Sequence, residues 1–452
     1  MAVAPHDAEH EVVVVGGGIA GLTAAYALRD RDVLLLEAED RVGGRIRSEP
    51  RGDVWLNFGA HVFGGPDSAT GRLLDELGVD AIPVPGRLAA VSLNGKLVSS
   101  GPVESLPLRL PLSLRSRVAL VRAGLRLRLA VRRYASIAAP RPGESAAGRQ
   151  ARMLAFMDDR SFADFAGPLP DDVDALFRST LTRSSGDPEE LAAGYGVGYF
   201  HLVWNRDAGL SRNILGGSAI ATGALGAAVS DRVRLGARVS AVERVGGGVR
   251  VHYANAAGTQ LVTARAAVLA TPAYVTRELV ADLPPDTAAA LAAIPYGPYV
   301  VGAFLTRERG AMPWDRIYAL ATPKRSFSML FNIANVLRRP GTQRSAGGSL
   351  MVYAAASFAR RLDGLDDAHV RDRFLADLYD LFPELREQVE EAVIHRWERG
   401  LPFPRVGRSG LQAALTRPLG PVHLAGDYLG SWYTETAVQT ALAAAEAVRG
   451  EL

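Results

Sequence analysis

The first strong hydrophobic signal is Val12–Val15, four consecutive β-branched residues. An unalternated run of this kind predicts a strand buried on both faces, as in a parallel sheet. Gly16, Gly17 and Gly18 follow, and Ala24, Ala25, Ala27 and Leu28 continue with helical composition. Val33–Leu36 predicts a second buried strand, ending at Glu37. Farther along, 233–242 and 249–251 predict paired strands around a Gly246-Gly-Gly248 turn. Ala267–Thr271 closes that segment, Val422–Ala425 predicts another strand, and Ala441–Ala447 predicts a terminal helix. Strands alternating with helices predict an α/β fold.

Two apolar stretches raise the question of a membrane. Val12–Leu28 is interrupted by its three glycines, and a span needs about 18–20 apolar residues, so it is read as strand and helix. In Leu106–Arg133, Leu and Val alternate with Arg109, Arg115, Arg117, Arg122, Arg126, Arg128, Arg132 and Arg133. The expectation is a solvated helix face whose arginines lie along apolar surface. The alternative is a basic amphipathic helix resting on a membrane, a peripheral contact through 106–133.

Composition narrows the chemistry. With 452 residues and 48% hydrophobic content there is ample material for a large core and two domains. Net charge is +3, and the pI of about 9.2 reflects an arginine excess, since Lys96 and Lys324 are the only lysines. Unclustered, that excess is no nucleic-acid footprint, and no nucleic-acid partner is expected. The absence of cysteine excludes disulfides, thiolate metal ligands, cysteine nucleophiles and thioether-linked cofactors, and it is compatible with a cytoplasmic location. The polar N-terminus lacks the basic region of a secretory signal. His6, Glu9 and His10 match the H-x-x-E-H zinc pattern, but they precede a strand instead of lying on one helix face. They are read as a flexible terminus, and no metal is expected.

The informative chemistry begins at Gly16, Gly18 and Gly21, which have G-x-G-x-x-G spacing between a strand and a helix. In a dinucleotide fold one glycine permits the turn, one admits the pyrophosphate and one lets helix and strand pack, with the phosphates at the positive helix end. Glu37, at the end of the second strand, stands where such folds bind ribose hydroxyls.

Beyond Glu37 the sequence EAEDRVGGRIRS resembles the second glycine motif of the FAD-dependent amine oxidase superfamily, which includes protoporphyrinogen oxidases and phytoene-type desaturases. The resemblance implies that Gly43 and Gly44 approach the cofactor diphosphate together with Gly16, Gly18, Ala20 and Gly21, and that Arg45 lies beside flavin and phosphates. Asn57-Phe-Gly59-Ala60-His61 resembles the stretch that passes the isoalloxazine ring. The backbone at Val239 would contact adenine. In PVHLAGDYLGSWYTETAVQTALAAAEAVRG, Gly426 and Asp427 would meet the ribityl and phosphate region, and Thr436 and Ala437 would open the last helix, whose positive end supports charge on reduced flavin. Glu39 departs from the arginine that many relatives place near the adenine ribose. Without cysteine, FAD is expected to bind non-covalently.

The fold this implies is a two-domain α/β flavoprotein. A discontinuous, Rossmann-like FAD-binding domain would comprise 1–75, 215–285 and 405–452, and an α+β substrate domain would comprise 76–214 and 286–404. Gly216-Gly-Ser218-Ala-Ile220 lacks the last glycine of a serine-hydrolase elbow and resembles a family turn that opens a helix. The lysine found near flavin N5 in some branches would fall near Val301, where none exists, and Lys324 is read as a loop residue. No arginine follows Gly59-Ala60, which disfavours a free amino acid. The segment HRWERGLPFPRVG resembles the tryptophan segment of protoporphyrinogen-oxidase-like members. Pocket candidates are His61, Trp397 and Tyr433, with Trp432, then Phe331 and Tyr353; each aromatic has core packing as its competing role.

The leading expectation is an oxidase that removes hydride from a C–N bond of a largely apolar small molecule, forming an imine, with O2 as acceptor giving H2O2, in bacterial specialised metabolism. The alternatives are a protoporphyrinogen-oxidase or carotenoid-type C–C desaturase, a flavin-dependent isomerase or mutase, and a flavin-binding module without turnover.

Overall fold

Val12–Val15 lie at the centre of a seven-stranded sheet, which is why all four are buried. Strand His10–Val15 pairs in parallel with Val33–Leu36 on one side and with the end of Gly258–Leu269 on the other. The computed structural model describes residues 9–84, 90–204, 210–339, 341 and 343–452. The sheet order continues outward to Val233–Arg234 on one edge and through Gly248–Asn255 to Arg238–Val245 on the other, and Val422–Leu424 pairs with Gly258–Leu269.

A parallel sheet needs cover on both faces, and successive residues supply it. Val12, Val14 and Leu35 pack with Leu22, Leu225, Val438 and Ala445, from the helices Ile19–Ala27, Ala219–Ala228 and Tyr433–Glu451. Val13, Val15 and Leu34 face the opposite core, with Val251, Val262, Leu279 and Leu291.

A second seven-stranded sheet runs in the order 389–402, 296–306, 348–355, 329–332, 319–321, 90–93, 96–98. Its alternation also sorts side chains. Phe304, Leu330 and Val352 pack under the helix Asp367–Leu381, while Val301, Phe331, Met351 and Tyr353 face Trp55 on the other side. A helical layer of Leu114–Ala138, Ala146–Ala155, Asp171–Leu181 and Ala193–Trp204 packs around Tyr134, Phe162, Phe177 and Phe200.

Several sequence expectations shift. The terminal helix begins at Tyr433, so Thr436 and Ala437 sit in its first turn instead of at its start. Val233–Arg234 pairs with Val33–Leu36, and only Arg238–Val245 forms the hairpin with Gly248–Asn255; Gly246 and Gly247 turn it with φ of +51° and +87°. His10 belongs to the first strand and its ring meets Asp32 at 3.0 Å; His6 lies outside the described residues.

The arginine-rich segment is a 25-residue helix, Leu114–Ala138, capped by Ser113, whose hydroxyl accepts from Ser116 N at 3.1 Å. Ala123, Leu127, Ala130 and Tyr134 are buried, while Leu114, Val118, Val121, Leu125 and Leu129 form an exposed stripe on the opposite side. At about 100° per residue, Arg115, Arg122 and Arg126 fall on one flank of that stripe and Arg117 and Arg128 on the other. Among the described residues no helix is long and apolar enough to cross a membrane.

Distant segments are locked by one carboxylate. Glu435, from the terminal helix, accepts from Ala69 N, Thr70 N and the Thr70 hydroxyl at 2.8, 2.9 and 2.7 Å, capping helix Ala69–Glu76 in trans. A carboxylate is favoured there by the helix dipole and the unpaired amides. Glu435→Ala should destabilise the protein by about 1–3 kcal/mol, measured as a lower denaturant midpoint, with Glu435→Gln losing less.

Candidate cofactor and active site

The first glycine turn is shaped by contact limits. A Cβ at Gly21 would lie 1.8 Å from the Gly16 carbonyl oxygen, so helix and strand meet at this distance only without a side chain. Gly16 itself has φ of +102°. Gly18 differs: it caps helix Ile19–Ala27 with no side-chain bond, its φ is −71°, and a Cβ there would meet nothing within 4 Å. The first turn of that helix, which includes the buried Ala20, therefore has neither a side-chain cap nor an acidic residue. Gly43 and Gly44, at φ of +111° and +53°, come up against the same point, with Gly43 N donating to Gly17 O at 2.8 Å. Two glycine turns and a bare helix N-terminus form a cradle suited to a diphosphate.

Glu37 stands beside this cradle. Its Oε2 accepts from Gly17 N at 2.5 Å and its Oε1 from Glu39 N at 2.8 Å, so backbone amides fix the carboxylate. Ala237 N donates to Glu37 O at 2.8 Å, which brings the strand carrying Val239 alongside. Glu39 pairs with Arg41 at 3.1 Å.

At the far end, Arg45 bonds Asp427 at 2.9 Å and the Gly400 carbonyl at 3.0 Å. Burial disfavours the guanidinium charge, but the Asp427 carboxylate outweighs it and holds the Arg45 pKa above its ordinary value. The neighbouring Gly426, at φ of +154°, donates to Thr440 Oγ1 at 3.0 Å. A Cβ at Gly59 would lie 2.1 Å from Arg45 O, so the strand end carrying Gly59 and Ala60 runs directly against the second glycine turn.

His61 follows. Its Nδ1 lies 3.2 Å from Gly59 O, and its buried Nε2 has no partner among the described residues. The ring is edge-on to Phe331 at 4.5 Å. Burial pushes its pKa down to about 4, with the Arg183 charge adding to the effect, so the ring is neutral at pH 7. The Gly59 bond assigns the proton to Nδ1 and leaves Nε2 as an acceptor.

Phe331 stacks on Tyr353 at 5.4 Å, and Tyr353 meets Tyr299. These rings join His61 on one wall. Trp397 lies opposite Tyr299 in the sheet and donates Nε1 to Phe58 O at 2.7 Å, next to Gly59. The Tyr433 hydroxyl meets that of Tyr195 at 3.2 Å, and Trp432 stacks on the Tyr195 ring at 4.9 Å. Trp432 thus packs into the helical layer. Ser218 donates to Asn57 Oδ1 at 3.1 Å and has no nucleophile's partners, Val301 is a buried core residue, and Lys324 pairs with Asp172 away from these rings.

One residue of the enclosure has no motif in the sequence. Arg183, in TLTRSS, lies in the turn Thr182–Ser184 with its guanidinium 5.4 Å from the Phe331 ring and 5.5 Å from the Tyr199 ring. Its position is visible only once the helix Asp171–Leu181 is packed against the second sheet.

Comparison with known proteins bears on this arrangement. The family model described as flavin containing amine oxidoreductase matches residues 19–449. The probable flavin-containing monoamine oxidase A of Dictyostelium discoideum is 41% identical over 76 residues, 16% of this chain and 17% of the relative. Protoporphyrinogen oxidase 2 of Arabidopsis thaliana, chloroplastic/mitochondrial, is 34% identical over 114 residues, 23% of this chain and 22% of the relative. The aligned stretches thus span about a fifth of the length of these curated relatives. In fold, the chain is similar to cyclohexylamine oxidase from Brevibacterium oxydans IH-35A, with a TM-score of 0.77, 22% identity, and 98% and 99% of the two chains covered. A match across nearly the whole chain makes this protein an oxidoreductase and a member of the flavin containing amine oxidoreductase family.

Proposed function

We propose that the protein is an FAD-dependent oxidase that converts a C–N bond of a largely apolar small molecule to an imine. The carrying observation is the cradle in which the uncapped helix end at Gly18 meets Gly43 and Gly44. Its donor set suits a dinucleotide diphosphate, and Glu37 is held where a ribose would lie. The chain has no cysteine to form a thioether with a flavin, and in this reading the cofactor is held non-covalently. In this reading the cofactor domain is 1–75, 215–285 and 405–452, and 76–214 with 286–404 shapes the substrate side. Bound FAD supplies a two-electron acceptor for a substrate C–H bond, and dioxygen, taking that electron pair with two protons, leaves as hydrogen peroxide.

The residues orient and dry the site. Phe331, Tyr353 and Tyr299 form an apolar wall that excludes water. His61, neutral and fixed by Gly59, offers Nε2 as a hydrogen-bond acceptor to an N–H of the substrate. Trp397, from the second sheet, is anchored beside Gly59 by its bond to Phe58 O, and Tyr433 opens the terminal helix. The amine oxidase names among the relatives support C–N oxidation, and the protoporphyrinogen oxidase match supports C–C desaturation as the second reading.

We also propose that the stripe Leu114, Val118, Val121, Leu125 and Leu129 rests on an anionic lipid surface. Apolar side chains with arginines on both flanks match acyl chains below and acidic headgroups beside them.

Four outcomes follow from these assignments. Purified protein should be yellow and release FAD on acidification. Gly18→Asp, whose side chain has room and suits an N-cap but sets a carboxylate where the diphosphate would lie, should keep the thermal midpoint of flavin-free wild type and lose the flavin, read by absorbance. His61, with a folded pKa below the unfolded one, stabilises the protein fully above about pH 6.5 and progressively less as pH falls towards about 4. Urea titrations should therefore show wild type losing up to about 3 kcal/mol relative to His61→Phe between pH 7 and pH 4. Finally, the protein should co-sediment with phosphatidylglycerol vesicles, less so with phosphatidylcholine or at high salt, and a Leu125→Glu/Leu129→Glu double variant should lose this without a change in thermal midpoint. Equal partition of wild type to both lipids would remove the membrane assignment.

A further inference from the structure

Arg183 is a cation without a counter-charge. Its Nε donates to the Tyr353 hydroxyl at 3.1 Å, and its Nη groups bond nothing among the described residues. The ionisable groups that face it are the neutral phenols of Tyr199, Tyr299, Tyr318, Tyr353 and Tyr433, together with the neutral ring of His61. No carboxylate within the described residues forms an ion pair with it. Arg45 has Asp427 and Arg338 has Glu308 at 2.9 Å, while the buried Arg408 forms no ion pair among the described residues and donates instead to the Tyr428 carbonyl.

The surroundings hold Arg183 in place. The Tyr299 hydroxyl donates to its backbone carbonyl, and the next turn is pinned where Ser185 Oγ donates to Gly297 O at 3.0 Å. A Cβ on Gly297 would lie 2.0 Å from Ser185 O, so this turn and the second sheet are in direct backbone contact. The guanidinium plane is therefore fixed by Tyr353 at one edge and by Phe331 and Tyr199 around it, with its outer Nη fork open. An ionised group in an aromatic enclosure is unfavourable unless an anion completes it. A fixed, half-used guanidinium fork fits a planar carboxylate by two parallel hydrogen bonds.

We infer that Arg183 anchors a carboxylate on the substrate, so that the molecule taken by this site is an aromatic or otherwise apolar acid that also bears the oxidised amine. This rests on the aromatic enclosure of His61 and Arg183 being the substrate side of the cofactor site. The acid end would sit on Arg183 and the apolar body against Phe331 and Tyr353, with His61 Nε2 facing the amine. The missing arginine after Gly59-Ala60 is thereby compensated from another element, the turn after Asp171–Leu181, and a free amino acid returns as a substrate class.

The test compares acids with their neutral amides. Phenylacetate and indole-3-acetate, with phenylacetamide and indole-3-acetamide, are titrated into the full-length protein by calorimetry, and flavin content is read separately by absorbance. Wild type should bind at least one acid at least tenfold more tightly than its amide. Arg183→Met, similar in bulk, should abolish that preference while leaving amide binding and flavin content unchanged. Arg183→Lys should restore part of it. No acid preference in wild type, or one that survives in a folded Arg183→Met, overturns the inference. A yellow protein without acid preference defeats only this inference; a colourless protein that prefers acids through Arg183 defeats the flavin reading and leaves the anion site standing. Because the wild-type comparison needs no variant, poor folding of Arg183→Met leaves the inference open to disproof.

Discussion

The ion pair between Arg45 and Asp427 joins residues 382 positions apart, and the site is organised around it. Arg45 belongs to the second glycine turn, its carbonyl presses on Gly59, and its side chain reaches the Gly400 carbonyl as well as Asp427. Three segments with little contact in the chain are thereby drawn to one point. Asp427 is only 9% exposed, so the pair is partly withdrawn from water. Removing one partner of such a pair leaves an uncompensated charge, at a cost of about 3–5 kcal/mol. The trans cap supplied by Glu435 to helix Ala69–Glu76 repeats the arrangement a few residues farther along the chain, from the terminal helix.

The two arginines of this region illustrate opposite electrostatic solutions. Arg45 is satisfied within the protein, which makes it a structural post beside the cofactor cradle. Arg183 is enclosed among Tyr199, Phe331 and Tyr353 with its charge unanswered. Its field also works against protonation of His61, whose burial already favours the neutral ring. An anion on Arg183 would therefore relieve both groups at once. Phenols and a neutral imidazole suit this task because they solvate a cation weakly and leave room for a stronger partner.

The long helix Leu114–Ala138 shows a similar split between its faces. Ala123, Leu127 and Tyr134 serve the core, while leucines and valines on the outer side remain exposed between arginines. Periodicity predicts the helix. The exposed stripe emerges only from knowing which face the rest of the helical layer covers.

Much of the cofactor region was legible from the sequence because its chemistry is local. Glycine spacing between a strand and a helix, an acid at the next strand end and a second glycine pair are all set by short-range contact limits, such as the Gly21 approach to Gly16 O. The buried valine run dictated a parallel sheet for the same reason, since unalternated β-branched residues need two covered faces. The helix start at Tyr433, the edge pairing of Val233–Arg234 and the enclosure of Arg183 were not legible. The last two depend on residues far away in the chain, Leu35 and Leu36 offering a free edge and Phe331 and Tyr353 closing on a loop from another layer, whereas the helix start is fixed by Trp432 N bonding Thr436 Oγ1 four residues on, a side-chain bond with no glycine or capping motif to mark it. By itself the sequence determined that two glycine turns meet at a helix end, because that arrangement is made of backbone and glycine. Only the tertiary structure decided which side chains enclose Arg183, because a guanidinium's meaning depends on whether a carboxylate happens to lie within its reach.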